Sequence, residues 1–186
     1  MKNYQNVSAE EAIKKLKAGN EKYLNSKNGT GDISPDIRSY TCLNGQKPYA
    51  VIIGCSDSRA IPESIFSAGI GDLFVIRVAG NVIDNYQLGS IEYATEHLGC
   101  KLVVVLGHDH CGAVNAAIGS DPKGYVKFIT DEIKFAIGTE KDDIKASCLN
   151  IRQSVSKIEQ HIAKKDGLKV VGAIYHIKDG RVEFDV

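Results

Sequence analysis

The chain has 186 residues, 43% of them apolar, and its 23 Lys plus Arg are balanced by 23 Asp plus Glu for a formal net charge of zero. That length suits one ordinary globular domain able to bury roughly 70% of its unfolded surface, enough to hold a rigid site. Charge balance without a basic run excludes nucleic acid and anionic membrane as expected partners, and no apolar stretch approaches the roughly 20 residues of a membrane span.

The first 20 residues mix charge throughout with no apolar signal core, so a cytoplasmic protein with reduced thiols is expected. Five cysteines, Cys42, Cys55, Cys100, Cys111 and Cys148, are an odd number spread over the chain, unlike a small secreted disulfide framework. The sequons at Asn6 and Asn28 then carry no weight, since they matter only in secreted chains.

In chain order, Ser8 followed by Glu11 is a capping-box pattern, and Ala12, Ile13, Leu16, Tyr23 and Leu24 recur at helical spacing. They predict an N-terminal helical arm over 1–26 of a single domain spanning 1–186. Residues 25–47 hold Gly29, Gly31, Pro35 and Gly45, with Pro48 close behind, and are expected to be a long irregular connection. Three continuous apolar runs, 49–53, 73–76 and 102–106, have the pattern of buried parallel strands. Helical patterns over 62–67 and 87–98 separate them, with Gly99 placed to end the second. Further helices are expected over 112–118, 125–137 and 142–164. In the last, Ile144, Cys148, Ile151, Val155, Ile158 and Ile162 form one apolar face that makes Cys148 a core residue. A fourth apolar run, 169–177, is followed by Asp179-Gly180, a two-residue hairpin signal leading to an antiparallel edge strand over 181–186. The alternation predicts an α/β fold: a mainly parallel sheet of about four strands plus the antiparallel edge, flanked by helices.

Ligands of open α/β sheets sit beyond the carboxyl ends of the strands. Cys55 follows the first strand, and "GHDHCG", 107–112, follows the third. Adjacent strands would bring Cys55, His108 and Cys111 together as a Cys₂His set. Zinc binds such ligands tetrahedrally, and three protein ligands leave one position open, the catalytic pattern. His110 competes for the role, but it abuts Cys111, and neighbours seldom aim at one point. His97, His161 and His176 have no such company and are expected to be structural or exposed. Asp57 and Arg59, two apart, can pair, either as a loop-fixing salt bridge or to hold Asp57 ionised beside the metal. Ser154-x-x-Lys157 and Gly69-x-Gly71 match catalytic and dinucleotide motifs only in fragments.

Cys55-x-Asp57-x-Arg59 followed by His108-x-x-Cys111 resembles the paired signature of the β-class carbonic anhydrases, and the likeness runs from about residue 8 to 185. The resemblance implies one zinc ion per chain on Cys55, His108 and Cys111, with Asp57 and Arg59 as a catalytic dyad. It further implies reversible hydration of carbon dioxide to bicarbonate and a proton, by zinc-generated hydroxide, and a homodimer or a multiple of one. Gln46, Phe74 and Tyr93 match substrate-pocket residues of the plant-type branch, where the neighbouring subunit supplies them, and Val78 suits the pocket wall. One branch of the family closes its site with the aspartate and marks a regulatory bicarbonate pocket by a tryptophan three residues before the first cysteine. Ile52 stands there and the chain has no Trp, so the open form is expected. A hydrolase of carbonyl sulfide or carbon disulfide on the same fold, and a non-enzymatic zinc or redox-sensing protein, are the alternatives.

Overall fold

The computed structural model describes residues 7–26, 30–162 and 167–186. Residues 1–6 of the expected arm, the sequon asparagines Asn6 and Asn28, and the expected helix end at Lys164 lie outside them.

Strands β1 (Ala50–Gly54), β2 (Leu73–Arg77), β3 (Leu102–His108), β4 (Lys169–Tyr175) and β5 (Val182–Phe184) form one sheet in the order β2-β1-β3-β4-β5. The first four are parallel, and β5 pairs antiparallel with β4 at one edge. Around the sheet stand α1 (Ala9–Asn25), α2 (Pro35–Asn44), α3 (Pro62–Ile65), α4 (Asn85–Glu96), α5 (Gly112–Gly119), α6 (Val126–Ile137) and α7 (Asp143–His161).

Because both sheet faces are covered, the central strands are apolar at successive positions. Ala50, Ile52, Leu102, Val104, Leu106 and Ala173 face α1 and α3 through Leu16, Ile65 and Phe66. Val51, Ile53, Val103, Val105 and Ile174 face α4 and α7 through Ile91, Ala94, Ile151 and Ile158. Ile151 is fully buried, a contribution of about 1.5–3 kcal/mol from removal of its side chain from water. Two glycines make room for it: a Cβ on Gly107 or Gly172 would lie 2.7 Å from an Ile151 methyl carbon. The helix therefore seats directly on the backbone of β3 and β4.

The expected arm is helical and packs on its own chain. The Ser8 capping box forms, Ala12 and Leu16 are buried, and Asn20 ties the helix down. Its Nδ2 donates to the carbonyls of Ile65 and Gly180, and its Oδ1 accepts from the Val182 N–H.

Three expectations need correction. Residues 25–47 are not all irregular, because α2 forms within them. Ser34 caps it by accepting from the Ile37 N–H, and Pro35 occupies the first helical turn, where a missing N–H costs nothing. Gly45, at φ 72°, ends it, so residues that read as breakers are its boundaries. Strand β3 runs two residues past 106, so His108 is its last residue, paired with Tyr175, and not part of the loop. The β4–β5 connection is wider than a two-residue turn: His176 N–H donates to the Arg181 carbonyl at 2.8 Å and Gly180 N–H to the His176 carbonyl at 2.8 Å, closing a loop over 177–180. No described helix is long and apolar enough to cross a membrane.

Candidate metal centre

The sheet order places β1 beside β3, and the chain leaves β1 toward β2 on one side before returning to β3 on the other. Their carboxyl ends thus form the topological switch point where open α/β sheets bind ligands. Cys55 emerges directly after Gly54, His108 ends β3, and Cys111 precedes α5. Their ligand atoms lie within 4.8 Å of one another, and all three residues are buried.

Each donor is fixed from behind. His108 Nδ1 lies 2.7 Å from the carbonyl of Asp109, which requires the proton on that nitrogen. Nε2 is thereby left with its lone pair facing the thiols, buried and without a hydrogen-bond partner. Cys55 Sγ accepts from the Gly80 N–H at 3.3 Å. Gly80 has φ 69°, and a Cβ there would stand 2.7 Å from Ile133 Cδ1, so both the conformation and the space call for glycine. Helix α7 secures this turn through Asn150, whose Nδ2 donates to the Gly80 carbonyl, and Ser154, whose hydroxyl donates to that of Asn81. Ser154, in a fragmentary catalytic motif, is thus a structural hydroxyl.

The two thiols share one proton's worth of acidity. Hydrogen bonding from Cys111 brings Cys55 down to about 4, despite its burial, with help from His108 and the Gly80 N–H. The same bond and burial push Cys111 far up, against the pull of the Val114 and Ala113 N–H groups at the start of α5. Burial opposes charge on His108, yet the neighbouring Cys55 sulfur and the Asp109 carbonyl leave it raised. A buried thiolate–thiol–imidazole cluster with an orphaned ring nitrogen is the donor set of a borderline-soft divalent metal, and it fits zinc. Among the described residues no other group of three such side chains forms.

A model of the carbonic anhydrase family matches residues 50–182. The chain belongs to the β-carbonic anhydrase family. It is 40% identical to carbonic anhydrase 2 of Mycobacterium tuberculosis, over 95% of this chain and 92% of that one. It is 41% identical to a carbonic anhydrase of Mycolicibacterium smegmatis, over 78% and 79%. Among solved structures, a β-carbonic anhydrase of Aspergillus fumigatus superposes with a TM-score of 0.70 at 28% identity, covering 81% of this chain and 80% of that one. A tetrameric β-carbonic anhydrase of Sordaria macrospora gives 0.69 at 26%, covering 81% and 86%.

In this family member Asp57 lies beside the cluster, with Oδ2 3.8 Å from His108 Nε2. Arg59 engages it with three donors: Nε to Oδ1 at 3.0 Å, Nη2 to Oδ2 at 2.7 Å and the backbone N–H to Oδ1 at 2.9 Å. That grip, chiefly the guanidinium, holds the carboxyl far below the usual carboxylate range. Arg59 Nη2 also donates to the His110 carbonyl, linking the β1 and β3 loops. His110 itself turns away at φ 52°, its ring exposed and its N–H bonded to Asp143 Oδ2.

Val78 continues the β1–β2 ladder beside this loop, its N–H donating to the Gly54 carbonyl and its carbonyl accepting from Ser56. Gln46 is exposed on the segment after α2. Phe74 and Tyr93 pack together, ring centroids 6.2 Å apart, but not at this chain's own cluster. Phe74 pairs with Val51, four positions before Cys55, which is about 13 Å along an extended strand.

Sequence reasoning missed three supports. Arg77, at the end of β2, donates from Nε to the Cys55 carbonyl at 2.9 Å and from Nη2 to the Asp57 carbonyl at 2.6 Å. An arginine directly after an apolar strand run was the available signal. Gly80 and the pair Asp109 and His176 left none, because their roles depend on backbone turns. Of the remaining cysteines, Cys42 is exposed, Cys148 is partly buried against the α7 face of the core, and Cys100 is pushed up to about 12 by burial.

Proposed function

We propose that the chain catalyses the reversible hydration of carbon dioxide to bicarbonate and a proton, with one zinc ion held by Cys55, His108 and Cys111. The observation that carries this is the orphaned, buried Nε2 of His108 facing two thiols, with an ionised carboxylate beside it. Zinc at such a site acts as a Lewis acid that makes water a nucleophile near neutral pH. Asp57, with Oδ2 facing the cluster, would accept a hydrogen bond from such a nucleophile and so orient its lone pair. Arg59 keeps the carboxylate ionised and aimed, and its hold on both Asp57 oxygens supports the open form expected from Ile52. Val78 contributes an apolar wall suited to a small apolar substrate.

The pocket is completed by a second copy. β2 is the sheet's other edge, and its residues 73–76, LFVI, are apolar, an edge that proteins cover. Phe74 and the half-exposed Tyr93 stand there with their rings together, away from their own cluster. They and the exposed Gln46 serve the partner's site in a homodimer or a multiple of dimers, acting in the cytoplasm.

Stopped-flow hydration by wild type, Cys55→Ser and Asp57→Ala, with zinc measured on each, tests the assignment. Zinc lost in the first, and zinc kept with turnover lost in the second, is the expected pattern. Zinc-loaded wild type inert toward carbon dioxide up to pH 8.5 would sink the reading, and faster turnover of carbonyl sulfide or carbon disulfide would redirect it to those substrates.

A further inference from the structure

His176 lies 68 positions beyond His108, yet the two are joined through one residue. The carbonyl of Asp109 accepts from His108 Nδ1 at 2.7 Å, and so sets which ring nitrogen faces the thiols. Three contacts with the end of β4 fix the buried Asp109. Its N–H donates to the Tyr175 carbonyl at 3.2 Å, Oδ1 accepts from the Ile177 N–H at 3.0 Å, and Oδ2 lies 3.2 Å from His176 Nδ1. His176 is held in turn by its own N–H on the Arg181 carbonyl, and its Nε2 lies 3.4 Å from Glu183 Oε1.

We propose that Asp109 and His176 form a positioning clamp that ties the orientation of His108 to the β4–β5 hairpin and thereby sets how tightly the centre holds its metal. The physical reason is that a peptide carbonyl can orient an imidazole only as well as the peptide itself is oriented. Asp109 begins the turn into His110, whose φ of 52° is unusual for a side-chain-bearing residue, so the β4 ladder reaches it only through its N–H on the Tyr175 carbonyl. The side-chain bonds to Ile177 and His176 supply the rest of the hold. Neither residue touches substrate, and both act through His108. Outer partners of this kind change metal affinity by about 10–100-fold.

The inference rests on the zinc assignment above, and its test separates the two. Zinc release from the loaded full-length protein to a chromophoric chelator is measured for wild type, His176→Ala, His176→Asn and His176→Gln. Asparagine places an amide N–H near the position of Nδ1 and keeps the donation to Asp109. Glutamine carries its amide farther out, to the position of Nε2, and loses it. The apparent zinc Kd is expected to rise about tenfold or more in the Ala and Gln variants and to stay within about threefold of wild type in Asn. An unchanged Kd in the Ala variant overturns the clamp. So does an equal rise in all three, which would mark a packing role. If the Ala variant does not fold, the Asn and Gln pair decides on the same criterion. Wild type that binds no zinc removes the centre and the clamp together, a result distinct from loaded wild type with indifferent variants.

Discussion

Arg59 closes on Asp57 from three directions, through Nε, Nη2 and its own backbone N–H, leaving neither carboxylate oxygen unpartnered. Removing the guanidinium by Arg59→Ala frees the carboxyl to rotate and lets its pKa rise toward the ordinary value near 3.9. Turnover is expected to fall by about 10²-fold while zinc content holds, a loss typical of a mispositioned proton-handling group.

The same pair makes a stability prediction with a definite sign. A carboxyl held low in the folded state contributes stability above its unfolded pKa near 3.9, and that contribution is lost as pH falls from there toward the folded value. Urea midpoints of wild type should therefore drop more steeply below about pH 4 than those of Arg59→Ala. Parallel curves for the two proteins would show that the grip is absent in solution.

The metal-free protein should carry one thiolate at neutral pH. Hydrogen bonding between the thiols brings Cys55 to about 4 and pushes Cys111 up, so the pair loses its first proton early and its second very late. Ultraviolet thiolate absorbance of chelator-treated protein checks this: one thiolate is expected across the neutral range in wild type, and that early thiolate vanishes in Cys55→Ser.

Arg77 holds the carbonyls on either side of Ser56. Arg77→Ala should leave the sheet intact, since the side chain is exposed, but should loosen the loop carrying Cys55 and Asp57. Zinc affinity is expected to fall by about tenfold, with little change in thermal midpoint. A large fall in midpoint at unchanged affinity would reassign the residue to the fold.

Gly107→Ala places a methyl group within 2.7 Å of Ile151, one residue from His108. The expected cost is about 1–3 kcal/mol in urea unfolding. Ile151→Val in the same chain should recover part of it, because the two side chains compete for one space.

The meeting of Cys55, His108 and Cys111 was legible because it needs only two inferences, strand ends and strand adjacency, each marked by an apolar run. Helix α2 was not. Pro35 and Gly45 carry opposite meanings inside and at the edge of a helix, and only the hydrogen bond from Ile37 to Ser34 decides between them. In the sequence His176 stands solitary because its partner lies 67 positions away, joined through two strand ends that become neighbours only when β3 and β4 pair. Phe74 and Tyr93 would have passed for core by composition alone. What sets them apart is their place beside the β2 edge, and edges are a property of the sheet and not of the segment.

The centre bridges β1 and β3, strands hydrogen-bonded to each other at the middle of the sheet. Separating the strands that carry its halves requires opening this central ladder, whereas the loops of Cys55 and Cys111 can move on their own. Metal escape by parting of the strands should thus be as rare as global opening, and the amides of Val103, Val104 and Val105 should be among the slowest to exchange.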